Sequence, residues 1–171
     1  SGTLTMRSAL VPAMGVGLAA TPRQGQLEGS GRWQWRQTLK ASGDITLTGA
    51  DLDWGSVTVR GAAGVLHGEY DNGQVQLSST GPVTVDTLDI GTPITDLELT
   101  VNSDLSQWQF TDIRADLLGG YLRSPALDWP SVRPQPVVIS RIDLAEVAAL
   151  QNPPPVSLSG RIGGYVPLQL G

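Results

Sequence analysis

The sequence predicts an all-β, antiparallel fold with one short α-helix at about 143–151, and three observations predict it. Apolar and polar residues alternate with a period of two along most of the chain, as in strands that bury one face. The alternating segments are separated by Gly, Pro and Asn-Gly turn chemistry every 8 to 14 residues or so, roughly the rhythm of antiparallel strands rather than of βαβ units. The composition, with 21 Gly, 12 Pro and 16% charged residues, favours strands and turns over helices.

In chain order, alternation marks Leu4/Met6, Ile45/Leu47, Val57/Val59, Val75/Leu77, Val83/Val85, Leu97/Leu99/Val101, Trp108/Phe110 and Val156/Leu158 as strands. Turns are expected at Ser42-Gly43-Asp44, Gly61-Ala62-Ala63-Gly64, Gly81-Pro82 and Gly91-Thr92-Pro93. Asp71-Asn72-Gly73 predicts a tight hairpin, because Asn-Gly supplies the two positive φ values such a turn prefers. Leu144, Val147, Ala148 and Gln151 follow helical spacing behind Asp143, with Glu146 placed as in a capping box; Asn152-Pro153-Pro154-Pro155 then ends the helix. A Pro-rich loop is expected from Ser124 to Pro136, ahead of a strand at Val137 to Ser140.

A length of 171 residues matches one domain or one segment of a larger array. Both ends alternate, Ser1 to Arg7 and Val166 to Leu170, as in a segment of a continuing pattern. The run Leu10 to Ala20 is interrupted by Pro12, Gly15 and Gly17 and falls short of the ~20 apolar residues a bilayer span takes. No secretory leader pattern opens the chain.

Cys is absent, His67 is the single histidine and Lys40 the single lysine. That argues against disulfide frameworks, thiol chemistry, metal sites and nucleophilic constellations, so the expectation is a non-enzyme without cofactor. A net charge of −5 would repel a phosphate backbone, which excludes nucleic acid as a partner. Gly15-Val16-Gly17-Leu18-Ala19-Ala20 matches a dinucleotide-binding fingerprint, but Thr21-Pro22 would stop the helix that fingerprint needs. The acid pairs Asp51/Asp53, Asp86/Asp89 and Asp112/Asp116 are set against a single histidine in the chain as acid-base couples, and read as turn and solvated strand residues. His67 reads as a polar residue on a strand face. Trp33 and Trp35 point to one side of a strand, with Arg32, Gln34 and Arg36 on the other; they read as core or sheet rim, with a platform for a sugar ring or lipid chains as the alternative.

One short helix cannot cover the apolar face of so many strands. The sheet therefore either closes on more sheet as a sandwich, barrel or solenoid, or stays curled open around an apolar ligand. Alternation alone does not separate these. The second option has a large energy behind it: hiding a sixteen-carbon acyl chain from water is worth roughly 12 kcal/mol at ~0.8 kcal/mol per CH₂.

Residues 112–171 separate them by resemblance. Asp112-Ile113-Arg114-Ala115-Asp116-Leu117-Leu118-Gly119-Gly120, the strand Val137-Val138-Ile139-Ser140, the segment Arg141-Ile142-Asp143-Leu144-Ala145-Glu146-Val147-Ala148-Ala149-Leu150-Gln151, and Ser157-Leu158-Ser159-Gly160-Arg161-Ile162-Gly163-Gly164-Tyr165-Val166-Pro167-Leu168 follow one another in an order and spacing that resembles the YdbH family of AsmA-like proteins. Gly163-Gly164-Tyr165 departs from the pattern, where a charged residue is expected before the strand. The resemblance implies a long periplasmic protein of Gram-negative bacteria, anchored in the inner membrane by an N-terminal helix. Its curved antiparallel sheet forms an open groove, or β-taco, that conducts phospholipids between inner and outer membranes. It also implies pairing with a small outer-membrane lipoprotein by strand addition. An older family label, dicarboxylate transport, fits poorly, because a small dianion wants converging Arg or Lys and the basic residues are scattered.

On this reading residues 1–171 are one segment of a larger β-groove protein. Leu47, Val57, Val59, Leu77, Val83, Val85, Leu97, Leu99, Val101, Trp108 and Phe110 are the expected lipid-facing residues, and phospholipid acyl chains the expected ligand. The competing expectation is a closed β-sandwich module that binds glycan, through Trp33 and Trp35, or a protein partner.

Overall fold

The computed structural model of the chain describes residues 1–9, 21–150 and 158–170. Eleven strands follow one another: β1 (Gly2–Ala9), β2 (Thr21–Trp35), β3 (Leu39–Trp54), β4 (Val57–Asp71), β5 (Gln74–Ser79), β6 (Val83–Asp89), β7 (Pro93–Ser103), β8 (Trp108–Leu117), β9 (Gly120–Trp129), β10 (Gln135–Asp143) and, after helix α1 (Leu144–Ala149), β11 (Arg161–Leu168). All belong to one antiparallel sheet in which each strand pairs with its sequence neighbours, except that β5 and β6 do not pair with each other. β5 and β6 both lie between β4 and β7, so they form one interrupted row, broken at Thr80-Gly81-Pro82. Among the described residues the result is an open meander with β1 and β11 as its outer strands, neither a closed barrel nor two facing sheets.

The hairpin forms as its turn chemistry predicts: Asp71 pairs with Gln74, and Asn72 and Gly73 carry φ values of 49° and 90°. Asp143 caps α1 by accepting a 2.8 Å hydrogen bond from the Ala145 N–H, and Glu146 occupies the first turn. Gln151, the Asn152–Pro155 stop and the fingerprint at 15–20 lie outside the described residues.

Several expected boundaries are corrected. Ser42-Gly43-Asp44 is not a turn but lies mid-β3, in register with Ser30, Gly31 and Arg32 across β2. A Cβ on Gly43 would stand 2.5 Å from the Ser30 carbonyl oxygen, so glycine is required there by backbone approach and not by turning. Gly61–Gly64 likewise lies inside β4. The loop expected from Ser124 to Pro136 shrinks to 130–134, because β9 continues through Pro125 to Trp129 and β10 starts at Gln135. Pro125 is tolerated since the β9–β10 ladder covers only Tyr121 to Arg123, and the missing N–H falls where the two strands splay. In the splayed part the Gln135 side-chain amide accepts from the Asp128 N–H and donates to the Asp128 carbonyl, standing in for the ladder. Val156 lies outside the described residues, and Leu158 precedes the last strand instead of belonging to one.

A line of bulges crosses the sheet. Gly25, Gly49, Gly61, Asp96 and Asp112 each take a positive φ in mid-strand, on β2, β3, β4, β7 and β8, and most lie where the pairing register slips. A bulge adds a residue and increases local twist, so this crease bends the sheet and reverses which parity of residue faces the core. On β3, odd residues up to Leu47 face the same way as even residues from Ala50 onward.

Candidate functional site

In an antiparallel ladder directly paired residues share a face, so register fixes the faces. Ile45 and Leu47 pair with Leu66 and Gly64; two residues on from Leu66, Gly68 pairs with Leu77, and Leu77 with Ser103. From Ser103, alternation along β7 puts Val101, Leu99 and Leu97 on that face, with their partners Phe110, Val83 and Val85, while Ser103 itself pairs with Trp108. Beyond the crease the row Leu52, Val59, Leu88, Ile94, Leu117 is joined to the same face through Ala115 and Ile113, the latter packed in the cluster that holds Leu97 and Leu99. Val57 follows Val59. The register therefore gathers all eleven residues singled out in the sequence onto one side of one sheet.

The same face holds residues that simple alternation misses: Leu52, Trp54, Ile113, Leu122 and Val137. Leu52, Trp54 and Ile113 have parity opposite to that of their strand's other half, and the signal that reveals them is a glycine or aspartate at positive φ in mid-strand, Gly49 on β3 and Asp112 on β8.

Burial along this face is uneven. Around β7 to β10, Ile113, Leu127 and Val137 form a buried cluster, flanked by Leu97, Leu99, Phe110, Leu122 and Leu170. At the other end Leu4 and Trp35 are 67% and 65% exposed, and Met6, Trp33 and Ile45 are exposed too. There a cleft of about 300 Å³ is floored by Gly29, Gly31, Gly43 and Gly68 and flanked by Leu4, Met6, Ile45, Tyr70 and Val75. Among the described residues no large side chain is less than 2% exposed.

The sheet curls towards this face, and Trp54 and Trp129 measure the curl. Trp129 shares a cross-sheet row with Trp108, Ser103, Leu77, Gly68 and Gly43, while Trp54 lies eleven positions past Gly43 on β3. On a flat sheet the two indoles would be about 40 Å apart. Their ring centroids are 6.4 Å apart, edge to face at 82°. The apolar face is the concave one.

The convex face is polar and internally paired. Arg7 bridges Glu28, Lys40 donates to Asp71, and His67 Nδ1 lies 2.7 Å from Asp44 Oδ1. Asp44 holds the His67 imidazole above its ordinary pKa, with Glu69 adding to the effect. Asp51 and Asp53, without a basic neighbour in sequence, receive one in space: Arg23 and Arg60 both donate to Asp53 and hold its carboxyl below the usual carboxylate range, Arg23 first. Asp51 accepts from Gln24 and from the Gly61 N–H at the bulge, which pins the crease. These charges satisfy one another across strands. Among the described residues no His, Cys, Asp and Glu cluster suits a metal ion, and no helix is long and apolar enough to cross a membrane.

Comparison with known proteins places the chain. A family model described as YdbH-like, intermembrane phospholipid transport protein YdbH, matches residues 1–171, well beyond the stretch that carries the resemblance by motif. A curated relative from Escherichia coli (strain K12), "Probable phospholipid transport protein YdbH", is 25% identical over 141 residues, covering 78% of this chain and 16% of the relative. No solved structure matches. The chain belongs to the YdbH-like family.

Proposed function

We propose that this segment is a stretch of hydrophobic groove that conducts phospholipids between the inner and outer membranes across a Gram-negative periplasm. Acyl chains lie on the concave face formed by Leu47, Val57, Val59, Leu77, Val83, Val85, Leu97, Leu99, Val101, Trp108 and Phe110, and headgroups remain towards water. One observation carries this reading: an apolar concave face over which no second sheet lies among the described residues, and whose β1–β4 half stays exposed. Exposed apolar faces of this extent mark binding surfaces. Lipid chains supply the missing cover at ~0.8 kcal/mol per buried CH₂. The competing sandwich would need a second sheet, and the strands form one.

In the full-length protein the groove continues towards an N-terminal inner-membrane anchor. A small outer-membrane lipoprotein pairs by strand addition, the mode an exposed strand edge offers.

Mass spectrometry of lipids co-purified with the full-length protein tests the proposal. Phospholipid should accompany the wild type, and Val85→Asp should lose both bound lipid and transport while the protein still accumulates. A mutant that keeps transport would refute the assignment of this face.

A further inference from the structure

We propose that Trp54 and Trp129 form an aromatic gate across the groove, which must part for a two-chain phospholipid to pass. The inference rests on the reading that the concave face carries acyl chains. On the unrolled sheet the line from Trp54 to Trp129 passes through Val59, Val85, Leu99 and Phe110, one residue from each intervening row. Contact between the two indoles turns that line into a closed apolar ring of six side chains. A groove open along its length lets a headgroup ride outside while the tails stay inside. A closed ring does not: the charged headgroup would have to be stripped of water to go through it. Lipid therefore stops at this section or the crossbar opens.

The contact is built to open. No backbone pairing joins β3 to β9, whose union at this point is one edge-to-face aromatic pair, a contact of modest strength. Trp54 and Trp129 are 52% and 37% exposed, so no further layer clamps them among the described residues. The ring also divides the face in two. The exposed corner with Leu4 and Met6 lies on one side, and the β10–β11 corner with Val166 on the other.

The test uses the full-length protein with Trp54→Cys and Trp129→Cys, this stretch having no cysteine of its own. A reversible thiol-to-thiol bridging reagent ties the two positions. Photo-crosslinking residues at Met6 and at Val166 then report phospholipid newly made during a radiolabelled phosphate pulse given after bridging. The gate predicts that bridging reduces labelled-lipid adducts to background at one of the two positions, that reductant restores them, and that Trp54→Ala with Trp129→Ala labels both. Adducts at both positions at the unbridged level would overturn the gate and leave the groove standing. Adducts at neither position in the unbridged protein would overturn the groove itself, and the gate with it.

Discussion

The two ends of the concave face use one architecture with opposite results. Around β7 to β10 the face is built from Leu, Ile, Val and Phe, and its centre, Ile113 and Val137, is only 5% and 4% exposed. Across β1 to β4 it is built around a row in which Leu4, Gly31, Gly43, Gly68 and Leu77 are successive partners, so three adjacent strands present bare backbone. Glycine in strand interiors weakens a sheet and leaves nothing to pack. Among the described residues, those flanking that floor stay exposed because their neighbours across the row are glycines. The difference teaches that a strand pattern defines a face but not whether the face is finished: one half covers itself by curling, and the other leaves room for something else.

The largest expected effect separates the halves directly. Ile113→Asp places an unpaired carboxylate in the packed half and should cost about 4 kcal/mol or more, abolishing the cooperative urea transition. Ile45→Asp, in the open half, should change stability by only about 0.5 kcal/mol in the same assay. Equal losses at the two positions would mean that the open half is covered by protein after all. Truncation comes next: Leu127→Ala should destabilise by about 3 kcal/mol and Leu4→Ala by almost nothing, read as a shift of the unfolding midpoint.

Within the open half, the glycine floor gives a smaller effect. Gly43→Val drives its side chain against the Ser30 carbonyl and the Gly31 Cα and should destabilise by about 2 kcal/mol. Thermal unfolding measures this, and an unchanged midpoint would show that the strands can spread. The smallest effect is electrostatic. His67 has its pKa raised in the fold by Asp44, so its contribution is fully present below the unfolded value of about 6.5 and is lost as pH rises through the folded value. Amide exchange of β3 and β4 should therefore quicken on going from mildly acidic to mildly alkaline pH, beyond the intrinsic rate change, and His67→Gln should flatten that response. β8 and β9, which have no such pair, serve as the control.

Much of this was legible in the residues. Period-two alternation located β1 to β8 and the end of β11 in whole or part, and Asn72-Gly73 placed its hairpin, because both signals are local. The errors share one cause. Glycines in mid-strand and a proline inside β9 look like turns in one dimension, whereas only the neighbouring strand shows that Gly43 is held by close backbone contact and that Pro125 falls where β10 has moved away. The parity reversal at Gly49, Gly61, Asp96 and Asp112 hid Trp54 and Ile113 from the same face as Leu47 and Leu99, since a period-two reading runs straight through a bulge. The ion pairs of Asp53 with Arg23 and Arg60 were illegible for a related reason, as strand pairing brings together residues far apart in the chain.

The central claim, that phospholipid tails cover the concave face, is tested most directly by scanning a photo-crosslinking residue along β3 in the full-length protein. The account predicts phospholipid adducts at Ile45 and Leu47 but not at Asp44 and Thr46, and then, past Gly49, at Leu52 and Trp54 but not at Asp51 and Asp53. Adducts that ignore this switch of parity, or that form at none of these positions, would contradict it.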